Sequence, residues 1–209
     1  MKIAVVASNG KASRAIVAEL IARGHEVTGF ARSENKSAAQ NFVQKDIMAL
    51  SKEDLAGFDA VVDGFGAYTP ETLPLHTRTS QHLADLVAGT ATRLYIVGGA
   101  GSLYVDAEHR VQLLDTPEFP AEFYPLAKAQ TEELAALRSR TDAKWVFVSP
   151  AADFRADGEK TGQYILGGEE LTLSGAGESI ISYADYAVGM VDLIESGAHI
   201  GERVSLVQA

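Results

Sequence analysis

Short runs of apolar residues recur along the first half of the chain, and segments with helical spacing separate some of them. The runs lie at Ile3–Ala7, Glu26–Ala31, Ala60–Asp63 and Leu94–Val97. Because they are continuous rather than alternating, they are typical of strands buried on both faces of a sheet. Strand–helix–strand alternation predicts right-handed βαβ units and a parallel sheet covered by helices. The pattern therefore predicts an α/β fold with a doubly wound parallel sheet, and a mixed α+β sheet is the alternative.

Apolar positions at helical spacing predict three helices between and after these runs. The first ends at Gly24, the second at about Gly89, and the third runs from about Tyr124 to Arg140. A glycine just past the last apolar position is expected where a helix ends. On the third helix, we expect Glu132 and Glu133 to lie on the solvated face.

The texture of the sequence changes after Pro150, which stops a predicted strand at Trp145–Ser149. Glycines then become frequent. The segments Tyr164–Leu166 and Glu170–Ser174 predict a hairpin that turns at Gly167-Gly168.

The C-terminal part returns to regular patterns. Ser182 and Asp185 have the spacing of a capping box, which predicts a helix that continues to about Glu195. Glu202–Val207 predicts a final strand. We expect one domain that spans residues 1–209.

Composition excludes several kinds of protein. The chain has 209 residues, a formal net charge of −10 and no cysteine. An acidic surface repels phosphate backbones, so nucleic acid is not an expected partner. The lack of cysteine excludes disulfides, thiolate catalysis and cysteine-ligated metals. We expect no membrane partner and a cytoplasmic location, because no apolar run approaches the ~20 residues of a membrane span and no signal peptide is recognisable.

Metal binding is not predicted, because no two histidines have ligand spacing such as H-x-x-x-H. Asp63, at the end of a predicted strand, is expected to have a structural role.

The first strand-to-helix turn, ASNGKAS at positions 7–13, is a candidate anion site. In a doubly wound sheet such a turn faces the ligand edge, and its N–H groups can bind a pyrophosphate. The stretch matches the glycine pattern G-x-x-G-x-x-G only at its centre, with Ala7 and Ser13 at the outer positions. A plain turn is the alternative. The candidate cofactor contacts are Ala7, Ser8, Asn9, Gly10, Lys11 and Ala12.

The end of the second strand, Gly29-Phe30-Ala31-Arg32, has no acidic residue for the ribose hydroxyls of NADH. An arginine there suits a 2′-phosphate through a charge-assisted fork. Arg32 therefore favours NADP(H), with NAD(H) as the alternative.

With these motifs the chain resembles the short-chain dehydrogenase/reductase superfamily, which implies a Rossmann-type fold. More narrowly, it resembles the small atypical NAD(P)-binding group with NADH-flavin reductase-like and NmrA-like members. The resemblance covers nearly the whole chain and rests on these segments in order: KIAVVASNGKAS, RGHEVTGFAR, KDI, VVDGFGA, LYIVGGAGSL, FYPLAKAQTEEL, WVFVSPAADF, EKTGQY and ISYADYA.

The resemblance implies roles for residues after the later strands. Asp46 and Ile47 would lie against the adenine. Gly64, Phe65 and Gly66 would lie along the ribose and phosphates, and Pro150 would flank the nicotinamide. Residues 154–182 would form a small segment that covers the substrate.

Tyr124 and Lys128 match the Y-x-x-x-K pattern of this superfamily. Residues four apart share a helix face, so an ammonium near the phenol would lower its pKa and favour proton transfer. Ser102 falls near the place where the superfamily has a serine that polarises a substrate carbonyl. A chance Tyr–Lys pair and a strand-end hydrogen bond of Ser102 are the structural alternatives.

Two classes of function follow. The first is an NAD(P)H-dependent oxidoreductase, a monomer or homodimer, that transfers hydride to a small molecule: a flavin (FMN or FAD), a quinone or a small carbonyl. The second is a non-catalytic NAD(P)-sensing regulatory protein of the NmrA-like kind. An epimerase or dehydratase is less favoured, because few residues follow Pro150 to form a substrate region.

Overall fold

The computed structural model describes all 209 residues, and an eight-stranded sheet runs through its centre. The strands are β1 (Lys2–Val6), β2 (Glu26–Ala31), β3 (Asn41–Gln44), β4 (Ala60–Asp63), β5 (Arg93–Val97), β6 (Lys144–Pro150), β8 (Tyr164–Gly167) and β10 (Glu202–Gln208). The strand order is β3-β2-β1-β4-β5-β6-β10-β8, with every pair parallel except β10–β8. The predicted doubly wound α/β fold is confirmed.

Four helices cover the sheet, two on each face. They are α1 (Lys11–Ala22), α2 (Leu75–Val87), α3 (Tyr124–Arg138) and α4 (Tyr183–Ser196). Alternate residues of each strand enter different cores. Ile3 and Val5 pack with α1 and α4, whereas Ala4 and Val6 pack with α2 and α3. No helix of the fold is long and apolar enough to cross a membrane.

The predicted hairpin at residues 164–174 is wrong. β8 pairs antiparallel with β10 and so extends the central sheet, while Glu170 forms a single bridge with Tyr104. A two-residue hairpin turn requires positive φ at its central glycine or glycines. Neither Gly167 nor Gly168 has positive φ, so the chain passes this point without reversing onto itself.

A second, two-stranded sheet joins β7 (Asp153–Arg155) to β9 (Ile180–Ser182) at the start of α4. As predicted, Ser182 caps α4 by accepting a hydrogen bond from the Asp185 N–H at 2.9 Å. The buried Asp185 carboxylate binds elsewhere, accepting from Thr161 N, Thr161 Oγ1 and Gly162 N. This contact fastens the glycine-rich segment to α4.

Candidate functional site

The strand order reverses between β1 and β4, and the loops after these two strands meet. Gly10 precedes α1 and Gly64 follows β4. A Cβ on Gly10 would lie 3.4 Å from the Ala7 oxygen and 3.8 Å from the Gly64 oxygen. In doubly wound sheets, ligands bind in the crevice at such a switch point. The residues of the opening turn and of the β4 loop are therefore brought together at the expected place.

The backbone of the opening turn has a left-handed residue, but it is not the glycine. Ala7 has a φ of 55°. Gly10 has a φ of −63° and is the N-cap of α1, and its N–H donates to the Ala7 oxygen at 3.0 Å. A Cβ in the left-handed region costs roughly 1–2 kcal/mol. The chain therefore keeps a glycine-like turn at the expense of local strain.

Ser13, at the last position of the glycine pattern, packs directly against Gly64. Its side chain is 1% exposed and its hydroxyl has no hydrogen-bond partner. A Cβ on Gly64 would lie 2.0 Å from Ser13 Oγ. The Ser13 side chain thus fills a space that is open only because residue 64, in the β4 loop, is a glycine.

Asn9 connects the opening turn to the loop after β2. Its amide nitrogen donates to the Glu34 oxygen at 2.8 Å, and its amide oxygen accepts from Lys36 N at 2.8 Å. Ser8 is buried, and its N–H donates to the Phe30 oxygen at 3.1 Å. Ser8 and Asn9 are therefore engaged within the protein. Ala12 is half-buried in the first turn of α1, and Lys11 is exposed there without a hydrogen bond or ion pair.

Arg32 is the first residue of the loop after β2, which is the loop that Asn9 binds. Its carbonyl accepts a hydrogen bond from Gln44 Nε2 at 3.1 Å, which fixes the backbone. The guanidinium is exposed and makes no hydrogen bond or ion pair. A positioned backbone with a free cation is an arrangement that can receive a phosphate.

Buried polar side chains bind the backbone of the loop after β4, which runs from Gly64 to Ala67. Asp63 Oδ1 accepts from Phe65 N at 2.9 Å. The His76 ring on α2 contacts Ala67 through Nε2, at 3.2 Å to the oxygen and 3.4 Å to the nitrogen. Phe65 packs edge-on against that ring, with centroids 5.3 Å apart. Gly66 lies beside Tyr68, which is strongly exposed.

The prediction of a solvated helix face is wrong for Glu133, because this residue is only 2% exposed and its Oε2 lies 3.8 Å from His76 Nδ1. Burial raises the pKa of Glu133 well above its usual range, and the charge of Asp63 adds to the rise. Burial also raises the pKa of Asp63 to about 6, against the opposing bond from Phe65 N. Burial lowers the pKa of His76.

A sequence signal for this cluster exists. Ala129, Glu133 and Leu137 are spaced four apart and are all buried on α3, so Glu133 continues an apolar stripe. Its neighbour Glu132 is exposed, so the prediction of a solvated face is right for Glu132 and wrong for Glu133.

Tyr124 and Lys128 lie at the start of α3, one helical turn apart. Tyr124 is 42% exposed, Lys128 is exposed, and neither side chain makes a hydrogen bond or ion pair. Ser102 is buried in the loop beyond β5 rather than at the strand end, and its carbonyl accepts from Arg203 Nη2 at 3.2 Å.

The remaining predicted cofactor contacts lie in three different environments. Asp46 is exposed and caps a short 3-10 turn by accepting from Met48 N at 2.8 Å. Ile47 is buried in the core beneath α2 and α3. Pro150 is buried and ends β6 at the ligand edge.

A cleft separates the start of α1 from the segment between β7 and α4. An open cleft of about 380 Å³ is lined by Lys11 and Arg14 of α1, by Asp157 of the segment and by Tyr183 of α4. The starts of α1 and α4 therefore face one another across this cleft.

Comparison with known proteins identifies relatives over the full length. Residues 8–196 match the model of a family described as NAD(P)H-binding. An uncharacterised protein of Bacillus subtilis is 41% identical over 99% of this chain and 98% of its own length.

Solved structures agree with this comparison. A candidate NADH-flavin reductase of Streptococcus pneumoniae is 58% identical, with a TM-score of 0.98 over 100% of both chains. A candidate epimerase of Bacteroides thetaiotaomicron is 32% identical, with a TM-score of 0.86 over 99% of this chain and 96% of its own. The names of these relatives indicate two different reactions. Both proteins are consistent with the family that the sequence resembles.

Proposed function

The chain belongs to the NAD(P)H-binding family, and from this we propose that it is an NADPH-preferring reductase that transfers hydride to a planar acceptor. The observation that carries the proposal is the crevice between β1 and β4 with the unpartnered Arg32 at its margin. When bound, the nicotinamide would supply the hydride, and the protein supplies position and charge.

The pyrophosphate would be held at the start of α1. That helix has no side-chain cap and no acidic residue in its first turn, so its N–H groups and dipole favour an anion. Gly10 and Gly64 let the two loops approach closely, and Lys11 adds a cation beside them. These features fit a dinucleotide despite the altered glycine pattern.

The 2′-phosphate would be bound by Arg32. The end of β2 carries no acidic residue. The next acid along the chain is Glu34, and it is its backbone oxygen that binds Asn9. The adenine would lie near Asp46 and Ile47, and the nicotinamide near Pro150.

The acceptor is a flavin such as FMN, a quinone or a small carbonyl. Three exposed aromatic residues support a planar acceptor: Tyr68 after β4, and Phe123 and Tyr124 at the start of α3. Both positions follow the carboxyl ends of strands, where substrates of this fold bind. For a carbonyl acceptor, Tyr124 would donate the proton with Lys128 beside it, and Ser102 would assist. A flavin would need no such donor.

The test of the cofactor proposal is calorimetric titration with NADPH and then NADH at one ionic strength. Because charge-assisted hydrogen bonds contribute about 1.5–3 kcal/mol, Arg32→Ala should weaken NADPH binding about 10- to 100-fold and NADH binding hardly at all. Lys144→Ala, which removes an exposed cation at the amino end of β6, is the matched control. Equal losses for both nucleotides would contradict the 2′-phosphate assignment.

A sensor without turnover is the second candidate, favoured by the lack of any hydrogen bond or ion pair at the side chains of Tyr124 and Lys128. Turnover of NADPH with FMN, quinones and small carbonyls separates the two. Loss of carbonyl turnover in the Tyr124→Phe, Lys128→Ala variant would support catalysis by the pair. Turnover with FMN that survives both substitutions would make the pair structural, and no turnover with any acceptor would support the sensor.

A further inference from the structure

Arg203, in β10, is a buried cation that has no place in the proposed function so far. Its side chain is 0% exposed, although arginine is rarely buried completely unless it is paired. The next residues at alternate positions, Val204 and Leu206, enter the core beneath α1 and α4. Because side chains alternate along a strand, Arg203 and Ser205 point to the opposite side of the sheet.

The guanidinium of Arg203 binds two segments that are far apart in the chain. Its Nη2 donates to the carbonyl oxygen of Ser102 at 3.2 Å and to that of Glu169 at 2.9 Å. Its Nε donates to Glu169 Oε2 at 3.2 Å. Ser102 belongs to the β5 loop, residues 98–104, and Glu169 follows β8. One rigid fork of donors therefore joins the β5 loop to the segment after β8.

Backbone hydrogen bonds continue this connection. Tyr104 N donates to the same Glu169 carbonyl at 2.9 Å, and Leu171 N donates to the Tyr104 carbonyl at 2.8 Å. The carbonyl of Glu169 thus accepts from the β5 loop and from Arg203 together. Removal of the guanidinium should therefore loosen this short ladder as well as the Ser102 carbonyl.

The β5 loop also packs against the start of α3. A Cβ on Gly101 would lie 2.6 Å from the Cβ of Ala127. Ala127 lies between Tyr124 and Lys128 in the same turn of the helix. The residue before Ser102 is therefore in close contact with the helical turn that carries the candidate proton donor.

Stability of the core does not explain an arginine at this position. Its Nη1 is buried without a hydrogen-bond partner, and so are the hydroxyls of Ser149 and Ser205, which are opposite one another in β6 and β10. A buried ion pair is often no more stabilising than well-packed apolar residues of similar volume. Departures of this kind from a well-satisfied core are expected at functional sites.

We propose that Arg203 is a positioning residue of the acceptor site. By binding the Ser102 carbonyl and Glu169, it holds the β5 loop against α3, beside Tyr124 and Lys128. A wall that is fixed before the acceptor binds keeps the acceptor in a reactive position. The proposal rests on the proposed function for its acceptor, whereas the attachment of the loop is a property of the protein alone.

The first experiment measures amide hydrogen exchange by mass spectrometry in the protein without ligands. Because hydrogen bonds to charged groups are among the stronger ones, Arg203→Met should speed exchange in peptides that contain Tyr104 and Leu171 about tenfold or more. Peptides from β2 report on global unfolding and should be unchanged. Arg203→Lys keeps the charge but offers a single donor nitrogen, so it should loosen the same peptides with less risk to folding.

Arg138→Gln is the matched control. Arg138 also binds Glu169 Oε2, at 2.6 Å, but it is exposed and has no hydrogen bond to the β5 loop. Its loss removes a cation from the same carboxylate, so exchange in the β5 loop should follow the wild type.

The second experiment measures turnover of NADPH with FMN, menadione and diacetyl, and NADPH affinity by calorimetry. Since a displacement of about 1 Å can lower a rate about 100-fold, Arg203→Lys should lower kcat about 10- to 100-fold and leave NADPH affinity within about twofold. Arg138→Gln should keep both values.

The outcomes separate this role from the proposed function. Unchanged exchange in both Arg203 variants would overturn the attachment of the loop. Faster exchange with an unchanged kcat, or faster exchange in β2 as well, would make Arg203 a structural residue only. If the wild type reduces none of the three acceptors, the proposed reductase fails and the positioning role with it, while the exchange rates still decide whether Arg203 holds the loop.

Discussion

Two clusters of acidic residues, one on each face of the sheet, differ in whether they include an arginine or lysine. On the face covered by α1 and α4, Arg23 binds Glu19 at 2.9 Å and Glu195 at 3.0 Å, and also contacts Asp192. On the face covered by α2 and α3, Asp63 and Glu133 are buried without any cation. Partial burial acts to raise the pKa of Glu19, but hydrogen bonds from Lys160 and Arg23 outweigh this effect and lower that pKa. Burial raises the pKa of both acids on the other face.

This contrast shows that the chemical state of an acid in this fold depends on its partner rather than on its residue type. The acids around Arg23 join α1 to α4 through ion pairs. The acids under the β4 loop have raised pKa values and lie beside the candidate site. Displaced pKa values of this kind are typical of functional sites, although structural networks produce them too.

The largest expected effect is a pH-dependent loss of stability from Asp63. Its pKa rises from 3.8 to about 6 on folding, so its contribution is complete below about pH 4 and is lost as the pH rises through 6. Since one pKa unit corresponds to about 1.4 kcal/mol, the loss approaches about 3 kcal/mol. Urea unfolding at about pH 4 and about pH 8 should show Asp63→Asn gaining on the wild type by most of this amount.

Asp115→Asn, which changes an exposed aspartate without an ion pair, is the control for that measurement. An Asp63→Asn curve parallel to the wild type would mean that Asp63 is ionised in the folded protein at both pH values, and the contrast between the faces would disappear.

The next effect concerns the contact that joins the two faces at the crevice. Gly64→Ala places a Cβ 2.0 Å from Ser13 Oγ, and overpacking of this kind costs about 2 kcal/mol. Ser13→Gly should restore most of the loss in the double variant, as measured by urea unfolding of all four proteins in a double-mutant cycle. Additive effects of the two substitutions would show that the clash is relieved elsewhere.

The smallest effect is expected from the ion pairs of the α1–α4 face. Glu19→Gln removes the carboxylate that pairs with both Arg23 and Lys160. It should cost about 1 kcal/mol, because the group is partly solvated and salt screens it. The lowered pKa of Glu19 means that this contribution is present at neutral pH and is lost as the pH falls through the acid range. Unfolding in low and high salt measures it, with Glu26→Gln, from the long exposed pair with Lys2, as control. A loss unaffected by salt and acid would contradict an ionic origin.

The sequence predicted best those elements whose structure depends mainly on their own residues. β2 and β4 have the predicted bounds, because continuous apolar runs identify buried strands without further information. Ser182 capped α4 as its position indicated. The family match and the fold likewise confirm the resemblance that the ordered segments carried.

The failures occurred where tertiary neighbours decide. β8 pairs with the edge of β10, which lies far along the chain, so local glycines suggested a hairpin that does not form. Glu133 is buried because α3 packs this side against the core, whereas its charge alone suggested solvent. The left-handed residue in the opening turn is Ala7, which no propensity would select. The roles of Tyr124, Lys128, Ser102 and Arg32 depend on a bound ligand and stay predictions.

Asn9 has a mechanical consequence for the candidate site. By binding Glu34 and Lys36 it joins the turn before α1 to the loop that carries Arg32. These hydrogen bonds restrict the movement of the two surface segments relative to one another. A ligand that spans both then loses less conformational freedom of the protein on association, since the ordering was completed during folding.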